Sequence, residues 1–271
     1  MKQSVSILSD LHIDFYIHQK DPIRIKSKDV ERIFENVLDS DPEVDLLIVA
    51  GDLGHHNAQS FQVLKYIAEI FNYKKIFVVA GNHELYSGSK YGTLKRQETF
   101  KDFIDPKGII EVLDGTVVEY KGVRYGGFDG WYDGTYLGVM GSDLDLIDFW
   151  RYSLNDSKYC HLPSFIPKFL EERKKAAKIY KECDVLISHI NPSNRKEHQL
   201  PQYREDLSTA FYNWDGAMLL RDTTAKYFIY GHCHGQFQYE TKGVKCILNA
   251  HGYPHEPKAW LTIDMEFTDV L

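Results

Sequence analysis

The chain has 271 residues, 43% hydrophobic and 26% charged, enough apolar mass for a packed core and no compositional sign of disorder. A formal net charge of -7 speaks against a general polyanion binder, which needs a basic field. It leaves small phosphorylated ligands open, because bound divalent cations can make one pocket positive on an acidic protein. The apolar stretch 4–8 is too short for a secretory signal and ends at Asp10, and no later segment has the length of a membrane span. Cys160, Cys183, Cys233 and Cys246 form no C-x-x-C pair. Reduced thiols in a cytoplasmic protein away from any membrane are therefore expected.

Five apolar runs read as buried strands, and each ends in turn or ligand-type residues. The first, 5–8, precedes Asp10 and His12. A helical spacing of Val30, Ile33, Phe34, Val37 and Leu38 follows over 28–39. The run 46–50 precedes Gly51 and Asp52. The segment 58–71 spaces Phe61, Val63, Leu64, Ile67, Ala68 and Phe71 as a helix, and the run 76–80 precedes Gly81, Asn82, His83 and Glu84. Strand alternating with helix predicts βαβ units and a largely parallel sheet. Alternating runs around Lys121-Gly122 and Lys242-Gly243 predict antiparallel hairpins, with 260–263 grouped beside the second. The segment 167–182 predicts an amphipathic helix with Glu171, Glu172, Arg173, Lys174 and Lys175 facing solvent. The run 185–187 precedes Ser188 and His189, and 227–230 precedes Gly231, His232 and His234. The aromatic-rich stretches 129–166 and 191–213 are hard to place and suggest lids or pocket walls. Ligand-type residues run from 10 to 234 and meet only within one domain, so one domain over 1–271 is expected.

The five clusters share one arrangement, an apolar run followed by Asp, Asn or His. In open α/β sheets the ligand crevice lies beyond the carboxyl ends of the strands, so all five can converge there. Carboxylate, imidazole and amide oxygen suit Mn, Fe or Zn better than Ca or Mg. The candidates Asp10, His12, Asp52, Asn82, His189, His232 and His234 are too many for one tetrahedral ion. They suit two ions sharing a bridging carboxylate, and a pair of ions roughly 3.5–4 Å apart can clamp an in-line displacement.

The ordered set D-x-H, G-D, G-N-H-E, isolated H and G-H-x-H resembles the calcineurin-like metallophosphoesterases. The resemblance implies a four-layer α/β/β/α sandwich, with two mixed central sheets flanked by helices and the metal site at the strand C-terminal ends. It implies that Asp10, His12, Asp52 and His234 bind one metal and that Asp52, Asn82, His189 and His232 bind the other, with Asp52 bridging. His83 would be the catalytic residue, facing substrate and protonating the leaving oxygen after in-line attack by a hydroxide shared between the metals. Glu84 would be a structural neighbour of the turn.

Taken singly, these residues have plainer readings: a lone Asp after a strand is usually a cap, and a lone His a satisfied polar group. The joint pattern reverses that. His55 and His56 are candidates to line the pocket, with an exposed helix start as the other reading. Tyr86, Trp131 and His251 are further substrate-binding candidates; packing is the alternative for Tyr86 and Trp131, and a surface loop for His251. Tyr132 and Trp214 are core or loop anchors unless they stack on a flat group. Hydrolysis of a phosphomonoester or phosphodiester is the expected function. A small-molecule or nucleotide substrate fits better than a folded protein, because the aromatic inserts suggest walls. A protein phosphatase and a silent metal-binding scaffold are the alternatives.

Overall fold

The computed structural model describes residues 1–35, 37, 44–258 and 260–267. In chain order the elements are β1 (Lys2–Leu8), α1 (Ile13–Tyr16), α2 (Ser27–Glu31), β2 (Leu46–Ala50), α3 (Asn57–Ile70), β3 (Lys75–Val79), α4 (Lys90–Lys101), β4 (Ile110–Val112), β5 (Thr116–Tyr120) and β6 (Val123–Gly127). Then come α5 (Tyr136–Val139), α6 (Leu146–Ser153), α7 (Asn155–Tyr159), α8 (Ile166–Ile179), β7 (Val185–Ile187), α9 (Ala217–Asp222), β8 (Tyr227–Tyr230), β9 (Gln236–Thr241), β10 (Val244–Asn249) and β11 (Leu261–Glu266).

Two mixed sheets result. One runs β11-β1-β2-β3-β4, the other β5-β6-β7-β8-β10-β9. Strands β1 to β4 pair in parallel, as do β6, β7, β8 and β10, and the edge strands β11, β5 and β9 join antiparallel. The period-2 alternation of side chains decides the layers. Val5, Ile7, Leu46, Ile48, Phe77 and Val79 face Tyr125, Val185, Ile187, Ile229 and Ile247 of the other sheet in one apolar layer. The alternate residues Leu47, Val49, Ile76 and Val78 point outward onto α3 and its neighbours. Leu186, Phe228 and Leu248 do the same under α8 and α9. Strands buried on both faces explain the continuous apolar runs, and the architecture is the four-layer α/β/β/α sandwich.

Both Lys-Gly turns form as expected. Lys121 and Gly122 take φ of 51° and 78°, and Lys242 and Gly243 take 54° and 76°. Positive φ at both central residues is the hairpin geometry that matches strand twist. Residues 260–263 behave differently: β11 leaves the second hairpin and pairs with β1 of the other sheet, Lys2 opposite Glu266 through Ile7 opposite Leu261. The predicted helix 28–39 is short, with α2 giving way to a 3₁₀ turn at Arg32–Phe34; Leu38 lies outside the described residues. Helix α4 is absent from the sequence reading because only Thr93 and Phe100 of its residues are buried, leaving no apolar stripe.

Helix α8 corrects a second expectation. Glu172 does not face solvent: it is buried, and so is Lys168. Glu172 accepts from Lys168 Nζ at 2.7 Å, from Lys175 Nζ at 2.5 Å and from the Gly130 amide at 3.1 Å. Asp129 and Asp114 complete the cluster, 3.5 Å from Lys168 and 2.6 Å from Lys175. Removing one member strands buried charge, so Glu172→Ala should cost about 3–5 kcal/mol. Arg173→Ala, exposed on the same helix, should stay within about 0.5 kcal/mol of wild type in the same urea unfolding series.

Candidate metal centre

The loops after β1, β2, β3, β7 and β8 bring all seven ligand-type side chains together. Asp10, His12 and His234 place ligand atoms within 4.8 Å of one another, as do Asp52, His189 and His232. Asp52 also groups with His12 and His83, so it stands between the two sets. The backbone bends sharply to achieve this. Asp10, His12, Asp52 and His232 all adopt left-handed φ, between 42° and 72°. Such conformations cost free energy in non-glycine residues and cluster at functional sites. Gly51, at φ 86°, admits no alternative: a Cβ there would lie 2.5 Å from His189 Nδ1.

Hydrogen bonds on the outer side of each ring fix which nitrogen faces inward. His189 Nδ1–H donates to the Ala50 carbonyl at 2.8 Å, leaving the Nε2 lone pair inside. His232 Nε2–H donates to the Phe211 carbonyl at 3.0 Å, leaving Nδ1 inside. Asn82 Oδ1 lies 3.1 Å from His189 Nε2 and 3.0 Å from His232 Nδ1, and Asp52 Oδ2 lies 3.3 Å from His189 Nε2. On the other side, His234 Nδ1–H donates to Glu256 at 2.7 Å, turning Nε2 toward His12 Nε2 at 2.9 Å and Asp10 Oδ1 at 3.7 Å. Buried acceptors this close repel unless a proton or cation lies among them. The donor set therefore fits borderline divalent ions.

Local electrostatics agree. Burial opposes a charge on Asp52, yet His189 and His83 hold its carboxyl well below the usual range. Burial likewise opposes a charge on His189, but Asp52 lifts it to about 10, so without a cation a proton sits on the inward Nε2 in the cation's place. Burial and the neighbouring His189 push His232 down to about 3. Two backbone amides anchor the carboxylates: His232 N–H reaches both oxygens of Asp10 at 3.0 and 3.1 Å, and His83 N–H donates to Asp52 Oδ1 at 2.9 Å.

The calcineurin-like phosphoesterase family model matches residues 4–236. The chain belongs to the calcineurin-like phosphoesterases. Among solved structures it is similar to the phosphopantetheinyl hydrolase PptH from Mycobacterium tuberculosis, with TM-score 0.62 and 16% identity over 93% of this chain and 90% of that one. It is also similar to GAP50, the anchor in the inner membrane complex of Plasmodium, with TM-score 0.46 and 13% identity over 95% of this chain and 74% of that one. The likeness to PptH is one of fold alone. Comparison with curated proteins gives no match.

In this calcineurin-like phosphoesterase His83 stands at the rim of the ligand cluster, its Nε2 3.9 Å from Asp52 Oδ2. Its Nδ1 meets His55 Nε2 at 2.9 Å, and His55 Nδ1 meets Asp14 Oδ2 at 2.9 Å. Tyr86 stacks on the His83 ring at 4.3 Å. Burial pushes His83 down to about 4. Glu84 accepts from four backbone amides, those of Asp52, Leu53, Gly54 and Gly81. Burial, with Asp52 close by, raises Glu84 to about 7. His56, by contrast, begins α3 without joining the ring cluster. Trp131 is buried in the core under α8 and packs on Tyr132.

The sequence gives no signal for several residues that shape the centre. Tyr253 stacks on His12 at 4.4 Å and meets His234 edge-on at 4.7 Å. Glu256 orients His234, and exposed Phe15 packs on Tyr253 at 4.8 Å. Arg96 of α4 donates to the carbonyls of Gly54, His55, His83 and Glu84, tying the Asp52 loop to the His83 turn. A cavity of about 470 Å³ adjoins His234 and is lined by Gln202, Gln236, Glu256 and Lys258. A larger one, about 680 Å³, lies between α8 and α9 and touches none of the imidazoles.

His251 is no surface group. It is fully buried, with its ring against Phe34 and Tyr16 instead of among the site imidazoles. Burial, with Lys258 nearby, pushes it down to about 3. The unfolded chain takes up that proton near pH 6.5, the folded one only near 3. Its contribution to stability is therefore complete above pH 6.5 and is lost as pH falls toward 3, at about 1.4 kcal/mol per pH unit. His251→Leu should reduce the slope of stability against pH in that window by about one proton, measured by urea unfolding from pH 4 to 7.

Proposed function

We propose that the chain is a dinuclear metal-dependent phosphoesterase acting on a small phosphorylated substrate. The observation that carries this is the inward convergence of lone pairs from Asp10, His12, His234, Asn82, His189 and His232 around the central Asp52. Asp10, His12, Asp52 and His234 would hold one ion, and Asp52, Asn82, His189 and His232 the other. When bound, such ions acidify water and neutralise charge on phosphoryl oxygens. Manganese, iron and zinc all suit these ligands.

The remaining work falls to the protein's own groups. Asp14 accepts from His55 Nδ1–H, so His55 Nε2 offers a lone pair to His83 Nδ1–H. That chain turns His83 Nε2 toward the centre. His83 is neutral at rest; a proton taken up at Nε2 is favoured by the Asp52 and Asp14 carboxylates and can pass to a departing oxygen. Tyr86 holds the ring in plane by stacking. Phe15, Tyr253, Tyr86 and His55 form an aromatic rim, and Phe211 and Tyr212 wall the His232 side. The cavity beside His234 has a size that suits a metabolite or nucleotide fragment better than a protein surface.

The test is turnover of Mn²⁺-loaded protein with nitrophenyl mono- and diesters and with alkyl phosphates. Asp52→Asn should abolish all of it. His83→Ala should keep the metal content and lose about 10²–10⁴-fold on alkyl phosphates. The loss on nitrophenyl esters should be smaller, because nitrophenolate leaves without a proton. A fully active Asp52→Asn protein, or a uniform His83→Ala effect across leaving groups, contradicts the scheme.

A further inference from the structure

Helix α7 places one carboxylate where, among the described residues, no cationic side chain meets it. Asp156 is 1% exposed. Its hydrogen-bond partners are three donors: Asn82 Nδ2–H at 2.8 Å and the Tyr86 hydroxyl at 2.5 Å on Oδ1, and the Tyr132 hydroxyl at 2.8 Å on Oδ2. The Tyr132 hydroxyl in turn accepts from Trp150 Nε1–H at 2.6 Å, which leaves its proton free for Asp156. Burying a carboxylate is expensive, and three neutral donors are the compensation.

The purpose lies in the symmetry of the asparagine amide. Its oxygen and nitrogen ends are nearly the same shape, so only their partners decide which end faces where. One end of Asn82 faces His189 Nε2 and His232 Nδ1, the other faces Asp156. A carboxylate accepts and does not donate. It therefore takes the NH₂ end and obliges the oxygen to face the imidazoles. We infer that Asp156 is a positioning residue that locks the Asn82 amide with its oxygen toward the His189–His232 cation position. The same carboxylate holds the hydroxyl of Tyr86, whose ring stacks on His83. One buried group thus sets both a ligand and the partner of the proton-bearing histidine. Its helix is pinned to that strand-end turn by Ser87 N–H to the Tyr159 carbonyl at 2.9 Å and by His161 Nε2 to the Ser87 carbonyl at 2.9 Å. This gives part of the unplaced stretch 129–166 a role beyond that of a wall.

The inference rests on Asn82 being a cation ligand. The test is calorimetric titration of metal-free protein with Mn²⁺ for wild type, Asp156→Leu and Asp156→Asn, with thermal melts alongside. Asp156→Leu should weaken one equivalent by about 10–100-fold and leave the other at the wild-type value. Asp156→Asn keeps an oxygen for the Asn82 amide and should restore most of that affinity. Should the leucine variant fail to fold, wild type still decides: the Asn82 side-chain NH₂ resonance, assigned by its loss in Asn82→Ser, should be protected from solvent exchange without metal. A folded Asp156→Leu protein that binds both equivalents like wild type, or loses both equally, overturns the inference, as does a fast-exchanging Asn82 amide. Wild type that binds no Mn²⁺ overturns the metal-centre reading itself.

Discussion

Mutual repulsion among buried acceptors is the constraint around which this molecule is arranged. Asp52, Asn82, His189 and His232 point lone pairs at a common space, and the outer hydrogen bonds to Ala50 and Phe211 prevent the rings from turning away. Such a cluster is costly in a protein interior unless positive charge resolves it. The surrounding framework holds it in place regardless. Glu84 gathers four amides of the two glycine turns, and Arg96 clamps the same loops from outside through their carbonyls. A second buried carboxylate beside Asp52 raises the field that a cation relieves.

The sheets deliver these groups by register. Ser6–Leu8 pairs in parallel with Leu47–Val49, and Leu46–Ala50 with Lys75–Val79, so their carboxyl ends come level. The same holds in the second sheet for β7 against β8, which carry His189 and His232. The apolar layer between the sheets then fixes one set of loops against the other. Left-handed residues immediately after the strands turn the side chains back across the sheet ends. Rigid strands and strained turns give the preorganisation that a centre built from five separate segments requires.

Much of this was legible in the sequence, for a physical reason. A strand buried on both faces writes itself as an unbroken apolar run, and a ligand placed at its end interrupts that run with Asp, Asn or His. Asp10, Asp52, Asn82, His189, His232 and His234 are all found this way. The hairpins were legible because Lys-Gly supplies the positive φ their turns need. What escaped has no local mark. Helix α4 lies on the surface and shows no stripe, yet carries Arg96. Glu172 looks like one charge in a solvated row until Lys168 and Lys175 close over it. Strand β11 crosses to the far sheet because β1 leaves an edge to be covered, a choice made over about 260 residues of chain and invisible to pattern. Tyr253, Glu256 and Asp156 act through contacts with residues distant in sequence, and His251 resembles them in type while being packed against Phe34.

The central claim is that the inward lone pairs exist to hold cations. Anomalous diffraction from crystals grown with Mn²⁺, collected at the manganese edge, tests it most directly. The account predicts two peaks per chain, roughly 3.5–4 Å apart, one among Asp10, His12 and His234 and one among Asn82, His189 and His232, with Asp52 between them. A map with no manganese among these side chains would contradict it.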